Sequence, residues 1–162
     1  MAQKQQLANA PIKEALIDLR VTASASIENL DSSYDQFSSD YPKREEIQRK
    51  TVGFKLSPNS DISSIVDQET LGFKYTSEDE RRVVQFRIDG FTFSWLEPYS
   101  DWESLRDEAI RLWLIYLSVS NSEAVSRIAV RYINAMNIPR PVADFSEYLV
   151  KPQRYQKNCR KV

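Results

Sequence analysis

Apolar residues recur at every second position along much of this chain, which predicts β-strands with one apolar face. The alternation covers residues 15–21, 52–56, 71–75, 84–88, 91–95 and 125–134. The pair Asp89-Gly90 separates two of these segments and predicts a tight hairpin turn, because both residues tolerate the positive φ that such turns require. Residues 57–68 show no clear alternation and are predicted to form a loop.

Two other segments show the three- and four-residue apolar spacing of amphipathic helices. The first covers residues 27–37 and ends before Pro42, since a residue that precedes proline disfavours helix. The second covers residues 102–117. It begins at Ser100-Asp101-Trp102-Glu103, which fits a capping box in which Ser100 caps the helix and Glu103 reaches back.

The predicted order of elements is β-α-β-β-β-β-α-β, which indicates an α+β fold. We expect a single antiparallel β-sheet of about six strands with two helices packed on one face. Residues 1–10 are a polar lead-in, residues 11–150 form one domain, and residues 151–162 form a basic C-terminal tail. The covered face of the sheet is predicted to carry Ile17, Leu19, Phe54, Phe73, Phe86, Phe93 and Tyr132.

The composition removes several classes of catalytic site. Among 162 residues there is no histidine, one cysteine (Cys159) and only three glycines. Histidine-dependent nucleophilic sites, disulfide frameworks, thiolate zinc sites and glycine-rich phosphate loops are therefore excluded. We expect a protein that is not an enzyme and that uses neither a metal nor a cofactor.

The charge is unevenly distributed along the chain. Five of the 22 Lys and Arg residues lie in 151–162, which contains no acidic residue, so residues 1–150 carry 17 basic against 23 acidic residues. The N-terminus lacks the apolar core of a signal peptide, and no stretch approaches the ~20 apolar residues that span a bilayer. We expect a cytoplasmic protein with no membrane partner.

The sheet face opposite the helices is predicted to be polar and basic. By strand parity it carries Glu14, Asp18, Arg20, Lys55, Lys74, Gln85, Arg87, Thr92, Ser94, Arg127 and Arg131. Six of these are basic and two are acidic. The excess of arginine suits recognition of carboxylate or phosphate groups. The alternative is an ordinary solvated face, in which Asp18 or Glu14 pairs with Arg127 or Arg131 across strands.

Several segments together resemble a sporadically distributed bacterial family of uncharacterised proteins. They are residues 11–20 (PIKEALIDLR, where the family has a PIxEAxIDLR-like start), 91–99 (FTFSWLEPY), 112–116 (LWLIY), 127–139 (RIAVRYINAMNIP) and 144–149 (DFSEYL). The resemblance implies no catalytic residues, because the family has no established activity. Its polar positions add Asn134 to a site on the first and last strands.

Members of that family continue beyond the DFSEYL-like segment, whereas this chain ends in LVKPQRYQKNCRKV. The resemblance therefore predicts a C-terminally shortened member with an open sheet edge, which a protein partner or a second copy could cover. The candidate binding residues are Glu14, Asp18, Arg20, Lys55, Lys74, Arg87, Arg127, Arg131 and Asn134.

Three functions fit the sequence. The first is a non-catalytic binding or adaptor protein that acts through the polar face and the open edge, in the setting of a bacterial defence or toxin-neutralising complex. The second is a nucleic-acid-binding protein that contacts the phosphate backbone, which an overall pI of 5.6 and the lack of stacking aromatics on the polar face disfavour. The third is a carboxylate- and Mg²⁺-dependent enzyme such as a nuclease.

Overall fold

A computed structural model describes residues 10–22, 25–57, 60–122, 124–138, 141 and 144, with the side chains of 53–66 excepted. It contains one antiparallel sheet and two α-helices, which confirms the predicted α+β class and order of elements. The elements are β1 (Ile12–Val21), α1 (Ile27–Ser32), β2 (Lys43–Ser57), β3 (Ser60–Thr76), β4 (Arg82–Arg87), β5 (Gly90–Leu96), α2 (Trp102–Val119) and β6 (Val125–Asn134).

The six strands lie in the order β2-β3-β4-β5-β1-β6. The first strand of the chain is therefore inserted between β5 and β6, and it pairs antiparallel with both. Strand β2 forms one edge of the sheet and β6 forms the other. This order positions the candidate site, because it brings the first and last strands together.

Both helices and a short 3-10 turn after α1 (Tyr34–Gln36) cover one face of the sheet. Phe86 on β4 lies at the centre of the core, with ring centroids 5.2 Å from Phe37 and 5.5 Å from Tyr116 of α2. Most of the predicted covered residues are buried there: Ile17, Phe73, Phe86 and Phe93, with Leu19 partly buried.

Tyr132 is an exception, because 43% of its surface is exposed. It has the parity of the helix face, but it lies on edge strand β6, whereas α2 packs on β1 and β5. The prediction that Tyr132 belongs to the covered core is therefore wrong.

Strands β2 and β3 form a much longer hairpin than the sequence predicts. Residues 60–68, expected in a loop, belong to β3, and their ladder to β2 continues from Ser57↔Ser60 to Lys43↔Thr76. Because β4 pairs only with Gly72–Thr76, residues 48–57 and 60–70 project beyond the rest of the sheet as a two-stranded arm. Phe54 and Lys55 lie in this arm, and their side chains are outside the described part of the chain.

Two local predictions are corrected by one or two residues. The N-cap of α2 is Asp101 rather than Ser100, and its carboxylate accepts a 2.8 Å hydrogen bond from the backbone N–H of Ser104. The β4–β5 turn consists of Ile88 and Asp89, with Arg87 opposite Gly90. Gly90 is required for close approach, since a Cβ atom there would lie 2.3 Å from the backbone oxygen of Leu19.

Candidate functional site: the polar face and the open edge

Strand register aligns the polar residues in rows across the sheet. One row runs Glu45, Lys74, Gln85, Thr92, Asp18 and Ala129, from β2 to β6. The next row contains Gly72, Arg87, Gly90, Arg20 and Arg127. The predicted polar face is therefore continuous, and it is densest where β1, β4, β5 and β6 meet.

Asp18 is the centre of this face, with a side chain only 9% exposed. Its Oδ1 accepts hydrogen bonds from Thr92 Oγ1 at 2.8 Å and Arg87 Nη2 at 3.3 Å. Its Oδ2 accepts one from Arg127 Nη2 at 2.5 Å, and Arg20 Nε lies 3.7 Å away. A single carboxylate is thus surrounded by three guanidinium groups.

These surroundings determine the ionisation of Asp18. Burial by itself would raise the pKa of the carboxyl group. The hydrogen bonds from Arg127 and Thr92, together with the positive charge of Arg20, outweigh burial and lower the pKa below its usual value. Asp18 is therefore an anion at neutral pH.

Asp89 in the β4–β5 turn adds a second carboxylate, and it is a site residue that the sequence analysis missed. Its Oδ2 lies 2.6 Å from Arg20 Nη1, and its Oδ1 lies 3.3 Å from Arg87 Nε. We call Asp18, Asp89 and the three arginines the Arg–Asp cluster. Its formal charge is +1, because two carboxylates oppose three guanidinium groups.

Small residues make room for the cluster. Arg20 and Arg127 are directly opposite each other on β1 and β6, an arrangement that is destabilising for like charges. Gly90 lies opposite Arg20 on its other side, and Ala129 lies opposite Asp18. Both leave space around the long side chains, and the Asp18 carboxylate offsets the repulsion between the two arginines.

The other predicted residues lie apart from the cluster. Lys74 Nζ pairs with Glu45 Oε2 at 2.8 Å, on the β2–β3 side of the sheet. Glu14 is half-buried, and Arg131 is exposed on β6 opposite Leu16. Asn134 has the parity of Tyr132 and so lies on the helix face at the end of β6, not on the polar face. The structure therefore brings together Asp18, Arg20, Arg87 and Arg127.

Strand β6 carries an exposed apolar surface, of which the sequence analysis assigned Tyr132 to the covered core. On the helix face, Ile128 is 67% exposed, and Val130 and Tyr132 are each 43% exposed. On the polar face, Ile133 is 48% exposed. Val125, which lies opposite Val21 beyond a shift in register, is 41% exposed. We call this strand, with apolar side chains exposed on both faces, the open edge. The alternation in the sequence identifies the strand but not its position at the edge.

The backbone of the open edge has a defined hydrogen-bonding phase. The N–H of Ala135 donates to the carbonyl of Pro11 at 2.9 Å, so the odd-numbered residue at this end faces β1. Alternation along an antiparallel strand then turns the N–H and C=O groups of residues 128, 130, 132 and 134 away from β1. These groups can pair with another strand.

The described residues contain no group of three or more Asp, Glu, Cys or His side chains placed to hold a metal ion. No helix in the described ranges is long and apolar enough to cross a membrane. A scan against models of protein families finds no match to this chain, and searches of curated proteins and of solved structures find none either.

Proposed function

We propose that this protein is a non-catalytic binding protein whose contact surface is the β6 end of the sheet, where the open edge meets the Arg–Asp cluster. The observation that carries the proposal is the exposure of apolar side chains on both faces of β6. Long, uncovered apolar edge strands are rare in proteins that function alone, because they template pairing with other chains. Strand addition at such an edge is a common mode of protein recognition.

The charge of the polar face supports a protein as the ligand rather than a nucleic acid. The arginines at positions 20, 87 and 127 are already hydrogen-bonded to Asp18 or Asp89. A phosphate group would have to compete with these carboxylates. Arg131 is exposed on the polar face beside the open edge.

Site-specific photo-cross-linking tests the proposal. A benzophenone amino acid at Ile128, in cells that naturally produce the protein, should cross-link to one discrete protein. The same probe at Val52 on the projecting arm is the matched control, because Val52 is also exposed (54%) on a strand. The Val52 probe should give no such product, or a different one.

The substitution Val130→Lys should reduce the Ile128 cross-link, because it places a charge in the exposed apolar surface of the open edge while the Arg–Asp cluster stays unchanged. The proposal fails if the Ile128 probe gives no discrete product, or if the Ile128 and Val52 probes label the same set of proteins.

A further inference from the structure

We infer that the open edge of β6 pairs with β6 of a second copy of this chain, antiparallel, about a two-fold axis at Val130. The inference rests on the proposed function, since it names the partner of the same surface. Three features of β6 determine this arrangement: the direction of its free backbone groups, the positions of its arginines, and the order of its apolar side chains.

The backbone phase limits the possible registers. Within the described ranges, no strand pairs with the outward N–H and C=O groups of residues 128, 130, 132 and 134. These groups must face outward-directed residues of the second copy to form hydrogen bonds. A symmetric antiparallel pair meets this condition only when the two-fold axis passes through a residue. An axis between two residues would bring outward-directed residues opposite inward-directed ones.

The arginines select among the remaining registers. An axis at Ala129 would place Arg127 directly opposite Arg131 of the second copy, and an axis at Arg131 would place two copies of that residue opposite each other. Like charges in these positions destabilise a strand pair.

An axis at Val130 places Arg127 opposite Ile133 and Arg131 opposite Ala129, so no two arginines are directly opposite. The ladder then covers residues 127–133 and stops at Ser126, where the register with β1 shifts. An axis at Ile128 also separates the arginines, but it would set Val130 opposite Ser126, so only residues 127–129 of the strand could pair regularly.

The same register matches the exposed apolar side chains of the helix face. Val130 lies opposite Val130 of the second copy, and Ile128 lies opposite Tyr132. Aromatic and β-branched residues are favourable cross-strand neighbours. A two-fold axis perpendicular to the sheet keeps both helix faces on the same side, so six exposed apolar side chains form one continuous strip. On this face, β6 needs a partner strand with apolar residues at three alternate positions. β6 itself has this pattern.

The first experiment is light scattering after size exclusion over a range of protein concentrations. The wild-type protein should have a measured molar mass twice the 18.8 kDa of one chain. Val130→Lys should raise the dimer dissociation constant at least ~100-fold, because it places two lysines against each other at the axis. The matched control, Val52→Lys, makes the same change at an exposed strand position on the arm and should stay dimeric.

Folding of the variant is checked by circular dichroism and by its unfolding midpoint. Val130 is 43% exposed, and its backbone groups point away from β1, so Val130→Lys should keep the wild-type spectrum. A wild-type chain that is monomeric at every concentration, or a Val130→Lys variant that is as dimeric as the wild type, overturns the inference.

The second experiment reads the register by disulfide formation in a Cys159→Ser background. Val130→Cys should cross-link to itself, because opposed residues lie within the ~4.4–6.8 Å between Cα atoms that a disulfide spans. Ile128→Cys should cross-link only when mixed with Tyr132→Cys, since its own symmetry mate is four residues, about 13 Å, away along the strand. Self-cross-linking of Ile128→Cys at the rate of Val130→Cys contradicts the register.

The two proposals fail in different ways. If the chain is monomeric but the Ile128 photo-probe captures a different protein, the second copy is ruled out and the proposed function stands. If the chain is monomeric and the Ile128 probe captures nothing, both are wrong. If the captured protein is this chain itself, both are supported.

Discussion

Asp18 determines how much positive charge the polar face presents. Three arginines surround it, and Thr92 donates to the same carboxylate oxygen as Arg87. Without this anion, the guanidinium groups of Arg20 and Arg127 would repel each other across β1 and β6. At this scale the carboxylate is a structural counter-ion for the three arginines.

Removing the charge of Asp18 should destabilise the protein in a pH-dependent way. The folded pKa of Asp18 lies below its unfolded value of ~3.9, so its ionisation contributes stability above about pH 4, and this contribution is lost as the pH falls through the folded pKa. Asp18→Asn should therefore lower the free energy of unfolding by about 2 kcal/mol at pH 7. The difference from wild type should shrink below pH 4.

Urea unfolding of both proteins between pH 3 and 7 measures this difference. Asp107→Asn is the control, because Asp107 is an exposed carboxylate on α2 with one neighbouring arginine. It should leave stability nearly unchanged at every pH. An Asp18→Asn protein as stable as wild type at pH 7 would show that the arginines do not need this anion.

The alternation of side chains between the two faces of a strand was sufficient to predict most residues of the Arg–Asp cluster. Asp18, Arg20, Arg87 and Arg127 share a face because each lies in a regular strand whose neighbours alternate. Asp89 was missed because it lies in the β4–β5 turn, where parity assigns no face. Asn134 was misplaced because it was taken from the resemblance to a family rather than from parity, which puts it with Tyr132.

At the scale of elements, the departure of the projecting arm from the sheet depends on Gly72. The β2–β3 register shifts there, with Ile47 opposite Gly72 and Gln48 opposite Thr70, so Leu71 is an extra residue. Gly72 has φ +150°, and a Cβ atom would lie 2.1 Å from the backbone oxygen of Phe86 and 2.7 Å from the Cα of Arg87. β3 and β4 can approach this closely only because the residue lacks a side chain.

Gly72→Ala should lower the free energy of unfolding by at least about 3 kcal/mol, because the atoms that the methyl group meets belong to the backbone and cannot rotate away. Chemical denaturation measures the effect. Thr51→Ala on the exposed part of the arm is the control and should cost less than about 1 kcal/mol. Equal effects of the two substitutions would mean that β3 and β4 separate easily at this point.

The arm also shows where pattern analysis of elements fails. Residues 60–66 (SDISSIV) mix serine and aspartate with three β-branched residues at irregular spacing, so no face is consistently apolar. Among the described residues, no third strand pairs with this part of the hairpin, so no core there imposes alternation. Both helices and strands β1, β4 and β5 were predictable because each buries one face against the core.

At the scale of the whole molecule, the salt dependence of association distinguishes the proposed dimer from binding to nucleic acid. In the dimer, the exposed Arg131 side chains of the two copies lie near each other on the polar face, and most of the interface is apolar. Dimer affinity should therefore stay constant or rise between 50 and 500 mM NaCl, as screening reduces the repulsion. Binding to phosphates would weaken steeply over the same range.

Sedimentation equilibrium at several salt concentrations measures this dependence. A dimer that dissociates as salt increases would show that opposite charges hold it together. This result would contradict an interface formed by the apolar side chains of Ile128, Val130 and Tyr132. Retention of the protein on heparin tests the nucleic-acid alternative. Retention that is lost as salt increases would indicate contacts to anionic groups.

Strand order is the property of the whole molecule that the sequence could not predict. The eight elements were identified in the correct order, but no residue pattern indicated that β1 would be inserted between β5 and β6. Without the strand order, Ile128, Val130 and Tyr132 look like any other covered residues. Their exposure follows only from the position of β6 one strand beyond the packing of α2.

The central position of β1 also has a consequence for the time course of synthesis. Residues 12–21 leave the ribosome before the other strands, but their ladder partners lie in β5, which begins at Gly90, and in β6, which begins at Val125. At about 5–20 residues per second, β1 waits several seconds for its first neighbour, while β2, β3 and β4 can already form a meander. The strand that completes the sheet is thus synthesised before the other five strands, and the protein cannot close its core until synthesis has passed α2.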